Sequence, residues 1–471
     1  MIRRFIPSSL TILALAWFAS VVCQAQRSES AASDSSSERQ AWRESMRRAP
    51  VPGGGCFKAS YPSTQWEEVQ CEAAPAYRSA RPKITSRDQV VGNAYDYVAQ
   101  ASSGHLFSSA VGSFPQVLGV TSESSVGVAA FGDGGILGAN EYTLQVNTNF
   151  YHSAACGSYP SCLAWQQYVM STNTPVSLTS GNLTNETEVF IEYWLIDYGS
   201  STSSACPSGF INAGASNPGV DCVQNTPATF IANGQLPITD LASLTLSGSA
   251  TANGTDAATV TFDGEAYAAT VKDSYTDIAS GWDQAEFNVF GNAGGSEAEF
   301  NNNVSVTAKL AVTDGSTAAP TCVSPSSKDG TTGETNNLNL SSTCTATGGS
   351  TPSIQFVESL GTPPAVPPTY TVTEIPSGPD TCGNSLTGYH NPCYETWGVT
   401  ISVAAGEQLY VNGSYVGTSY SNSWKEAFGT GDCVYSGILK AYVCYGYATP
   451  PAITAYASEP GYSNSSTVTI F

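Results

Sequence analysis

The ten residues from Val189 to Tyr198 read VFIEYWLIDY and decide the fold class. β-Branched and aromatic residues fill this stretch, and such residues favour strands. Alternation puts Phe190, Glu192 and Trp194 on one face and the intervening residues on the other. The stretch therefore predicts a strand that buries one face in a core and carries a carboxylate on an aromatic second face.

Seven further stretches have a similar β-rich composition, and turn-forming Gly, Asn, Ser, Thr and Pro residues separate them. Helical periodicity is nearly absent. The expected strands are Tyr142 to Phe150, Trp165 to Ser171, Leu241 to Ser247, Ala258 to Phe262, Tyr267 to Val271, Ala285 to Phe290 and Val304 to Val312. Short strands with frequent turns are typical of packed sheets. We predict an all-β protein with one two-sheet β-sandwich over residues 85–320.

The remaining sequence falls into segments of different composition. Residues 1–25 are typical of a signal peptide, because Arg3 and Arg4 precede a short apolar stretch that closes on small residues. Residues 26–50 are rich in Ser and Arg and predict a disordered basic leader or a propeptide. We expect an N-terminal extension at 51–84, a disulfide loop and Pro-rich linker at 321–368, and a small disulfide-stapled β domain at 369–471.

The charge balance excludes one class of partner. The chain has 17 Lys+Arg against 38 Asp+Glu, a formal net charge of −21. No cationic track is available for phosphates, so we predict no nucleic-acid partner.

The first apolar run is too short to span a bilayer comfortably and no second one follows, so we predict no membrane insertion. The basic leader could dock on the acidic body by charge, and a plain spacer stays open as the alternative. We expect a secreted monomer, extracellular or periplasmic.

The cysteine content favours disulfides over a metal centre. Thirteen cysteines occur, and twelve remain without Cys23 of the signal segment. An even number in an exported chain indicates disulfides. Sequence neighbours form the couples Cys56/Cys71, Cys156/Cys162, Cys206/Cys222, Cys322/Cys344, Cys382/Cys393 and Cys433/Cys444. Because no Cys-x-x-Cys occurs and the three histidines are far apart in sequence, we predict no metal site and no cofactor.

Polar side chains interrupt two expected strands where a plain sandwich would not need them. Gln166 and Gln167 lie within WQQYVM, and Glu286 lies within QAEFNVF. Alternation puts Glu286 on the face away from the core, where a carboxylate on an exposed concave surface could act as a general base. A glutamine amide opposite it could stabilise a developing oxyanion. The alternative interpretation is that Glu286 is simply a solvated surface residue.

The order of these segments resembles the glutamic peptidases, or eqolisins, whose fold is a lectin-like β-sandwich. In that family a strand with a catalytic Gln precedes a Tyr-Glu-Trp-type strand and a later strand with a catalytic Glu. The counterparts here are Gln166 or Gln167, then Glu192-Tyr193-Trp194, then Gln284-Ala285-Glu286-Phe287. The likeness covers residues 140–315 and depends on order and spacing. The family also has a Trp-x-Gly-x-Asp segment before the Gln strand. The counterpart in this chain is Gln145-Val146-Asn147-Thr148-Asn149, which lacks the Trp and has an amide in place of the Asp.

The resemblance implies that the two-sheet sandwich is lectin-like and of jelly-roll type. It also implies an acid-acting endopeptidase that cleaves protein or peptide substrates without a metal. Glu286 would be the catalytic carboxylate, and Gln167 or Gln166 its amide partner. For the catalytic amide, the family-like spacing to Val169 favours Gln166, whereas strand alternation with Trp165 favours Gln167. Residues expected to contact substrate are Glu192, Trp194, Asn147 and Asn149.

Another function stays open beside the peptidase. A non-catalytic lectin-like module could bind polysaccharide on the aromatic face that carries Trp194, or the chain could be an adhesive surface protein. The segment Cys56 to Thr64 also resembles the start of secreted bacterial proteins, and this second likeness implies no activity.

Overall fold

A computed structural model of the chain describes residues 38–76, 96–128, 134–177, 182–216, 218–325 and 334–363 with their side chains. It also describes the backbone of strands between residues 369 and 469. The expected signal at 1–25, residues 26–37 of the leader, 77–84 of the N-terminal extension, and 326–333 and 364–368 of the loop and linker lie outside the described residues. The chain divides into two compact units, Met1–Gly361 and Thr362–Phe471.

Strands are the main secondary structure in the described part of the first unit. These are β1 (Cys56–Ser60), β2 (Glu67–Val69), β3 (Val98–Gln100), β4 (Ser109–Leu118), β5 (Glu123–Gly127), β6 (Gly138–Ala139), β7 (Tyr142–Thr148), β8 (Leu163–Ser171), β9 (Glu186–Tyr198), β10 (Ile211–Ala215), β11 (Val220–Asn225), β12 (Thr229–Asn233), β13 (Thr245–Ser249), β14 (Thr255–Phe262), β15 (Glu265–Lys272), β16 (Gln284–Gly291), β17 (Ser296–Phe300), β18 (Val304–Thr313), β19 (Thr321–Val323), β20 (Thr335–Asn336), β21 (Asn339–Thr347) and β22 (Ser353–Leu360). A helix covers residues 38–46. Short 3-10 helices lie at Ala154–Cys156, Ile238–Ser243, Asp273–Tyr275 and Ile278–Ser280.

Two large antiparallel sheets organise these strands. Sheet 1 has the order β2-β1-β15-β14-β13-β4-β18-β22-β21, and sheet 2 has the order β10-β11-β9-β8-β7-β16-β3-β19, with β12 beside β9. A smaller sheet has the order β20-β17-β5-β6. The expected all-β fold with a two-sheet sandwich is therefore confirmed.

One expected strand begins later than the sequence indicated. Residues 241–243 complete the 3-10 helix Ile238–Ser243, and β13 starts at Thr245. Pro237 precedes this helix with φ −59°, a value compatible with a helix start. Ile238 and Leu241 bury their side chains from this helix. An apolar run here therefore belongs to a helical turn as well as to the strand.

The sandwich extends beyond the expected boundary at 320. Strand β19 joins sheet 2, and β21 and β22 extend sheet 1. These strands lie in the range 321–368, for which the sequence analysis expected a disulfide loop and linker. Strand β22 has the alternation of a half-buried strand, with Ile354 and Phe356 in the core. Strand β21 is mostly exposed and rich in Ser and Thr, so its composition resembles a loop.

The core between the two sheets depends on a close approach of backbone and aromatic rings. Tyr168 and Phe287 project from sheet 2 into this core. A Cβ atom at Gly112 would overlap the Phe287 ring, and one at Gly248 would overlap the Tyr168 ring. Both glycines lie in sheet 1, so they let the two sheets pack at this distance.

The second unit is also built of strands. These are β23 (Thr369–Ile375), β24 (Tyr394–Ser402), β25 (Gln408–Val411), β26 (Ser414–Gly417), β27 (Ser421–Gly429), β28 (Cys433–Ser436), β29 (Ala441–Cys444), β30 (Ala452–Glu459) and β31 (Tyr462–Thr469). They form the sheets β23-β24-β27, β26-β25-β30-β31 and β28-β29. Among the described residues of the whole chain, no helix has the length and apolar character needed to cross a membrane.

Four disulfides occur among the described residues, and each is an expected couple. They are Cys56–Cys71, Cys156–Cys162, Cys206–Cys222 and Cys322–Cys344. Cys433 and Cys444 are direct partners across the hairpin of β28 and β29, whereas Cys382 and Cys393 lie outside the described residues. These bonds indicate folding in an oxidising environment. Cys322–Cys344 links β19 with β21, the end strands of the two sheets.

The helix at residues 38–46, here called the leader helix, packs against sheet 1. Trp42 and Met46 are buried and form one apolar cluster with Ala59 and Ala266. The Trp42 ring meets the Tyr61 ring edge to face, with centroids 6.0 Å apart. Trp42 and Met46 are four residues apart and so share one face of a helix. The expectation of a disordered leader is thus corrected for these residues.

The leader helix lies on the outer side of sheet 1. Val260 and Tyr267 are partners that face the inter-sheet core, and the next pair, Thr261 and Ala266, faces the opposite way. Ala266 contacts the helix, and the Arg47 Nε atom lies 3.5 Å from Thr261 Oγ1. The apolar contacts of Trp42 and Met46 therefore hold the helix on the face of sheet 1 that points away from sheet 2.

We expect the disulfide between the two sheets to stabilise the fold more than a shorter one. Chain entropy gives about 3 kcal/mol for the separation of 22 residues at Cys322–Cys344 and about 2 kcal/mol for the separation of 6 at Cys156–Cys162. Replacing each pair by serines and measuring urea unfolding tests this order. A larger loss for the shorter loop would show that chain entropy does not set the stabilisation.

We expect Trp42→Ala to lower the free energy of unfolding by on the order of 3 kcal/mol, because it removes a buried aromatic side chain. Arg48→Ala is the matched control, since Arg48 makes an exposed ion pair with Glu44 of about 0–1 kcal/mol. Urea unfolding at low and high salt measures both. A larger effect of Arg48→Ala, lost at high salt, would mean that charge holds the leader.

Candidate active site

Four polar residues form one line across the middle of sheet 2. Glu192 of β9 pairs with Gln167 of β8, Gln167 pairs with Asn147 of β7, and Asn147 pairs with Glu286 of β16. We call this line the polar row. Direct partners in neighbouring antiparallel strands project from the same face of a sheet. The row therefore collects both carboxylates and two of the amides that the sequence singled out.

The polar row faces away from the inter-sheet core. On each strand the residue next to the row belongs to the core, as the sequence analysis expected for Glu286. These core neighbours are Ile191, Tyr168, Val146 and Phe287. All four row residues nevertheless have no exposed surface. The expectation of an exposed, solvated Glu286 is therefore wrong, although its outward direction is right.

Side-chain amides connect the members of the row. The Asn147 Nδ2 atom donates to Glu286 Oε2 over 2.9 Å. The Gln167 Nε2 atom donates to Asn147 Oδ1 over 2.8 Å and to Gln145 Oε1 over 3.0 Å. Gln145 Nε2 in turn donates to Glu334 Oε2 over 2.6 Å. One chain of hydrogen bonds thus joins Glu334 to Glu286 with Gln167 near its middle.

The two glutamines of β8 point in opposite directions. Gln166 lies on the core side of sheet 2, where its Nε2 atom donates to Asp256 Oδ2 over 3.3 Å. Its Oε1 atom accepts a hydrogen bond of 2.8 Å from Thr276. Gln167 lies on the face of Glu286. Of the two candidates, only Gln167 can approach a group that also contacts Glu286.

Apolar residues flank the polar row on both sides. Trp165 and Trp194 are partners on one side, with ring centroids 6.3 Å apart. Val169 and Phe190 are partners on the other side and pack together. Buried apolar side chains therefore border the central polar groups on both sides.

The aromatic face is buried in this structure. Trp194 has no exposed surface, and its Nε1 atom donates to Glu192 Oε1 over 2.9 Å. Trp165 is also fully buried and donates to the Thr148 carbonyl oxygen over 3.1 Å. Glu192 and Trp194 therefore belong to the expected face and contact each other, but they do not form an open platform.

Asn149 has a role in the backbone leading to β16. Its Oδ1 atom accepts hydrogen bonds from the backbone nitrogens of Asp283 and Gln284, at 3.0 and 3.1 Å. Its Nδ2 atom donates to the Gly281 carbonyl oxygen over 2.8 Å. These bonds fix the chain just before Glu286. Asn149 thus positions the strand, and its amide already has partners on the protein.

The sequence analysis missed two members of the hydrogen-bonded chain. Gln145 alternates with Asn147 on β7, so a polar residue at every second position of that strand was the available signal. Glu334 lies just before β20 and is fully buried. Its surroundings in sequence are rich in Ser, Thr and Gly, and nothing there distinguishes a buried carboxylate from a loop residue.

Several carboxyl groups elsewhere in this unit are buried in a way that favours their neutral form. Burial raises the pKa of Glu123 to about 8 and that of Glu188 to about 7. Burial, together with the nearby charge of Asp273, raises the pKa of Asp256 to about 8. Burial and the neighbouring Asp96 raise the pKa of Glu358 well above its ordinary value. These four carboxyl groups therefore bind protons at a higher pH in the folded chain than carboxyl groups in water do.

Nothing matches the chain in comparisons with protein-family models, curated proteins and solved structures.

We expect the folded protein to be more stable in acid than in mild alkali. A carboxyl whose pKa is higher in the folded than in the unfolded state stabilises the fold fully below the unfolded pKa. That stability is lost as the pH rises from about 4 to about 8, at about 1.4 kcal/mol per pH unit for each fully titrating group. Urea unfolding across this range, with disulfides intact, measures the loss.

Asp256→Asn tests the assignment, because asparagine copies the shape of the neutral carboxyl and cannot ionise. This variant should lose less stability between about pH 4 and about pH 8 than the wild type. Asp263→Asn is the matched control, since Asp263 is exposed in a turn with φ 47°, which asparagine tolerates. Equal slopes in the two variants would assign the pH dependence to overall charge repulsion.

Proposed function

We propose that the chain is a secreted, acid-acting endopeptidase in which Glu286 and Gln167 form the catalytic pair. The observation that carries this proposal is their position in one polar row, on the same face, separated by a single carboxamide group. Glu286 contacts the nitrogen of that carboxamide and Gln167 contacts its oxygen. These are the two atoms that peptide hydrolysis must engage.

The chemistry follows from the donor and acceptor properties of the pair. Ionised Glu286 takes a proton from a water that attacks the peptide carbonyl carbon, and later gives a proton to the leaving amine. Gln167 donates an N–H to the carbonyl oxygen as negative charge develops there. The Nε2 atom already donates to Asn147 and Gln145, so a substrate carbonyl must replace one of these acceptors. Catalysis therefore requires the row to open.

The buried carboxyl groups support an acid working range. Glu123, Glu188, Asp256 and Glu358 favour the protonated form, so low pH stabilises the scaffold that holds the row. The disulfides add stability that does not depend on charge. Both features suit a protein that acts on protein substrates in an acidic, oxidising environment.

The alternative of polysaccharide binding has less support from the geometry. Sugar-binding sites present aromatic rings to solvent so that a sugar ring can stack on them. Trp194 and Trp165, the aromatic residues beside the row, are fully buried, and Tyr193 faces the inter-sheet core. Glu286 and Gln167 are equally buried, so our preference for the peptidase rests on their alignment with Asn147 in the polar row.

We expect Glu286→Gln to remove acid-pH cleavage of an unfolded protein substrate while the fold survives. Glutamine keeps the shape but cannot accept the proton, which lowers the rate on the order of a hundred- to ten-thousand-fold. Gln167→Ala removes an oxyanion donor and should lower the rate on the order of a hundred- to a thousand-fold. Rates of peptide release, with circular dichroism to check folding, measure both effects.

Glu299→Gln is the matched control, because Glu299 is exposed on β17 and loses the same charge. It should cleave at the wild-type rate. Chelators and serine- or cysteine-directed inhibitors should have no effect on the proposed mechanism. A wild type that cleaves nothing in acid, yet binds a polysaccharide column and is released by Trp194→Ala, would replace the peptidase with the lectin-like function.

A further inference from the structure

The carboxamide of Asn147 has an unusual position between the two proposed catalytic residues. Its oxygen accepts a hydrogen bond of 2.8 Å from Gln167 Nε2, and its nitrogen donates one of 2.9 Å to Glu286 Oε2. The group is fully buried with both partners. A carboxamide has the same C=O and N–H functions as a peptide bond. The side chain of Asn147 therefore makes the contacts that the proposed mechanism assigns to substrate.

We propose that the polar row is a carboxamide-binding site and that Asn147 occupies it as an internal substitute for the scissile peptide bond. This inference rests on the proposed function, because that function assigns Gln167 to the carbonyl oxygen and Glu286 to the amine. The inference adds that the Asn147 side chain occupies the site when no substrate is bound. Rotation of the Asn147 side chain frees the place for a substrate amide.

The donor pattern supports this role over that of a simple structural tie. Gln167 Nε2 has two hydrogens, and it directs one to Gln145 and the other to Asn147. The hydrogen directed at Asn147 lies on the side of Glu286, where a bound peptide carbonyl must accept it. A substrate that replaces Asn147 thus keeps the bond between Gln167 and Gln145, and with it the orientation of the catalytic amide.

The anchoring of Gln167 does not depend on Asn147 alone. Gln145 holds the other hydrogen of Gln167 and is itself held by Glu334 over 2.6 Å. The oxyanion donor therefore retains a partner when Asn147 leaves. Glu286 keeps its place through the backbone pairing of β16 with both β7 and β3. The catalytic pair can consequently persist while the internal occupant moves.

Removing the occupant provides the test. Asn147→Gly deletes the carboxamide, and Asn339→Gly, at an exposed position of β21, is a control for glycine in a strand. Cleavage of an unfolded protein in acid should be on the order of tenfold faster in Asn147→Gly than in the wild type, because substrate no longer competes with two internal hydrogen bonds. Asn339→Gly should cleave at the wild-type rate. Asn147→Ser, whose hydroxyl cannot span both partners, is the second variant if the glycine fails to fold.

Acetamide serves as a probe that does not depend on proteolysis. It should raise the melting temperature of Asn147→Gly, or of Asn147→Ser if that variant is used, and slow its cleavage, with no effect on the wild type at the same concentration. Adding Gln167→Ala should remove the shift. A folded variant that cleaves no faster than an active wild type overturns the proposal, as does the absence of an acetamide shift. If neither protein cleaves but acetamide still binds in a Gln167-dependent way, the amide site stands and the peptidase proposal fails.

Discussion

The register of β9, β8, β7 and β16 is the constraint on which the candidate site depends. It aligns Glu192, Gln167, Asn147 and Glu286 as direct partners on one face of sheet 2. A slip of one residue on a single strand would turn its polar member into the core and its core member outward. Core packing opposes such a slip, because the Tyr168 and Phe287 rings fit over glycines of sheet 1. Packing on the inner face thus fixes the chemistry on the outer face.

Strand alternation was sufficient to predict some features of this arrangement. It gave the outward direction of Glu286, and it favoured Gln167 through alternation with Trp165, although the sequence alone left Gln166 open. The burial of Glu286 could not be predicted, because alternation gives a direction and carries no information about what covers that face. Glu334 was missed for a related reason. It contacts Gln145 from a segment remote in sequence, whose composition is that of a loop.

The leader shows where composition and packing disagree. Its Ser and Arg content predicts disorder, yet two apolar residues spaced four apart bury themselves against Ala59 and Ala266. Arg47 and Arg48, which follow the helix, both pair with the exposed Glu44, and exposed ion pairs of this kind contribute little to stability. The helix lies on the outer side of sheet 1, and the polar row lies on the outer side of sheet 2. The leader helix therefore stabilises the sandwich from the face opposite the candidate site.

The direction of the hydrogen bonds in the site follows from its two ends. Glu334 and Glu286 each accept a hydrogen bond from an amide nitrogen, one on either side of Gln167. Gln145 and Asn147 must then direct their nitrogens outward to these carboxylates and their oxygens inward to Gln167. The oxygens of Gln145 and Asn147 both need a donor between them. Gln167 Nε2 is that donor, because it carries two hydrogens and directs one to each oxygen. The carboxylates thereby orient the glutamine amide as a donor, which is the property that an oxyanion-stabilising residue needs.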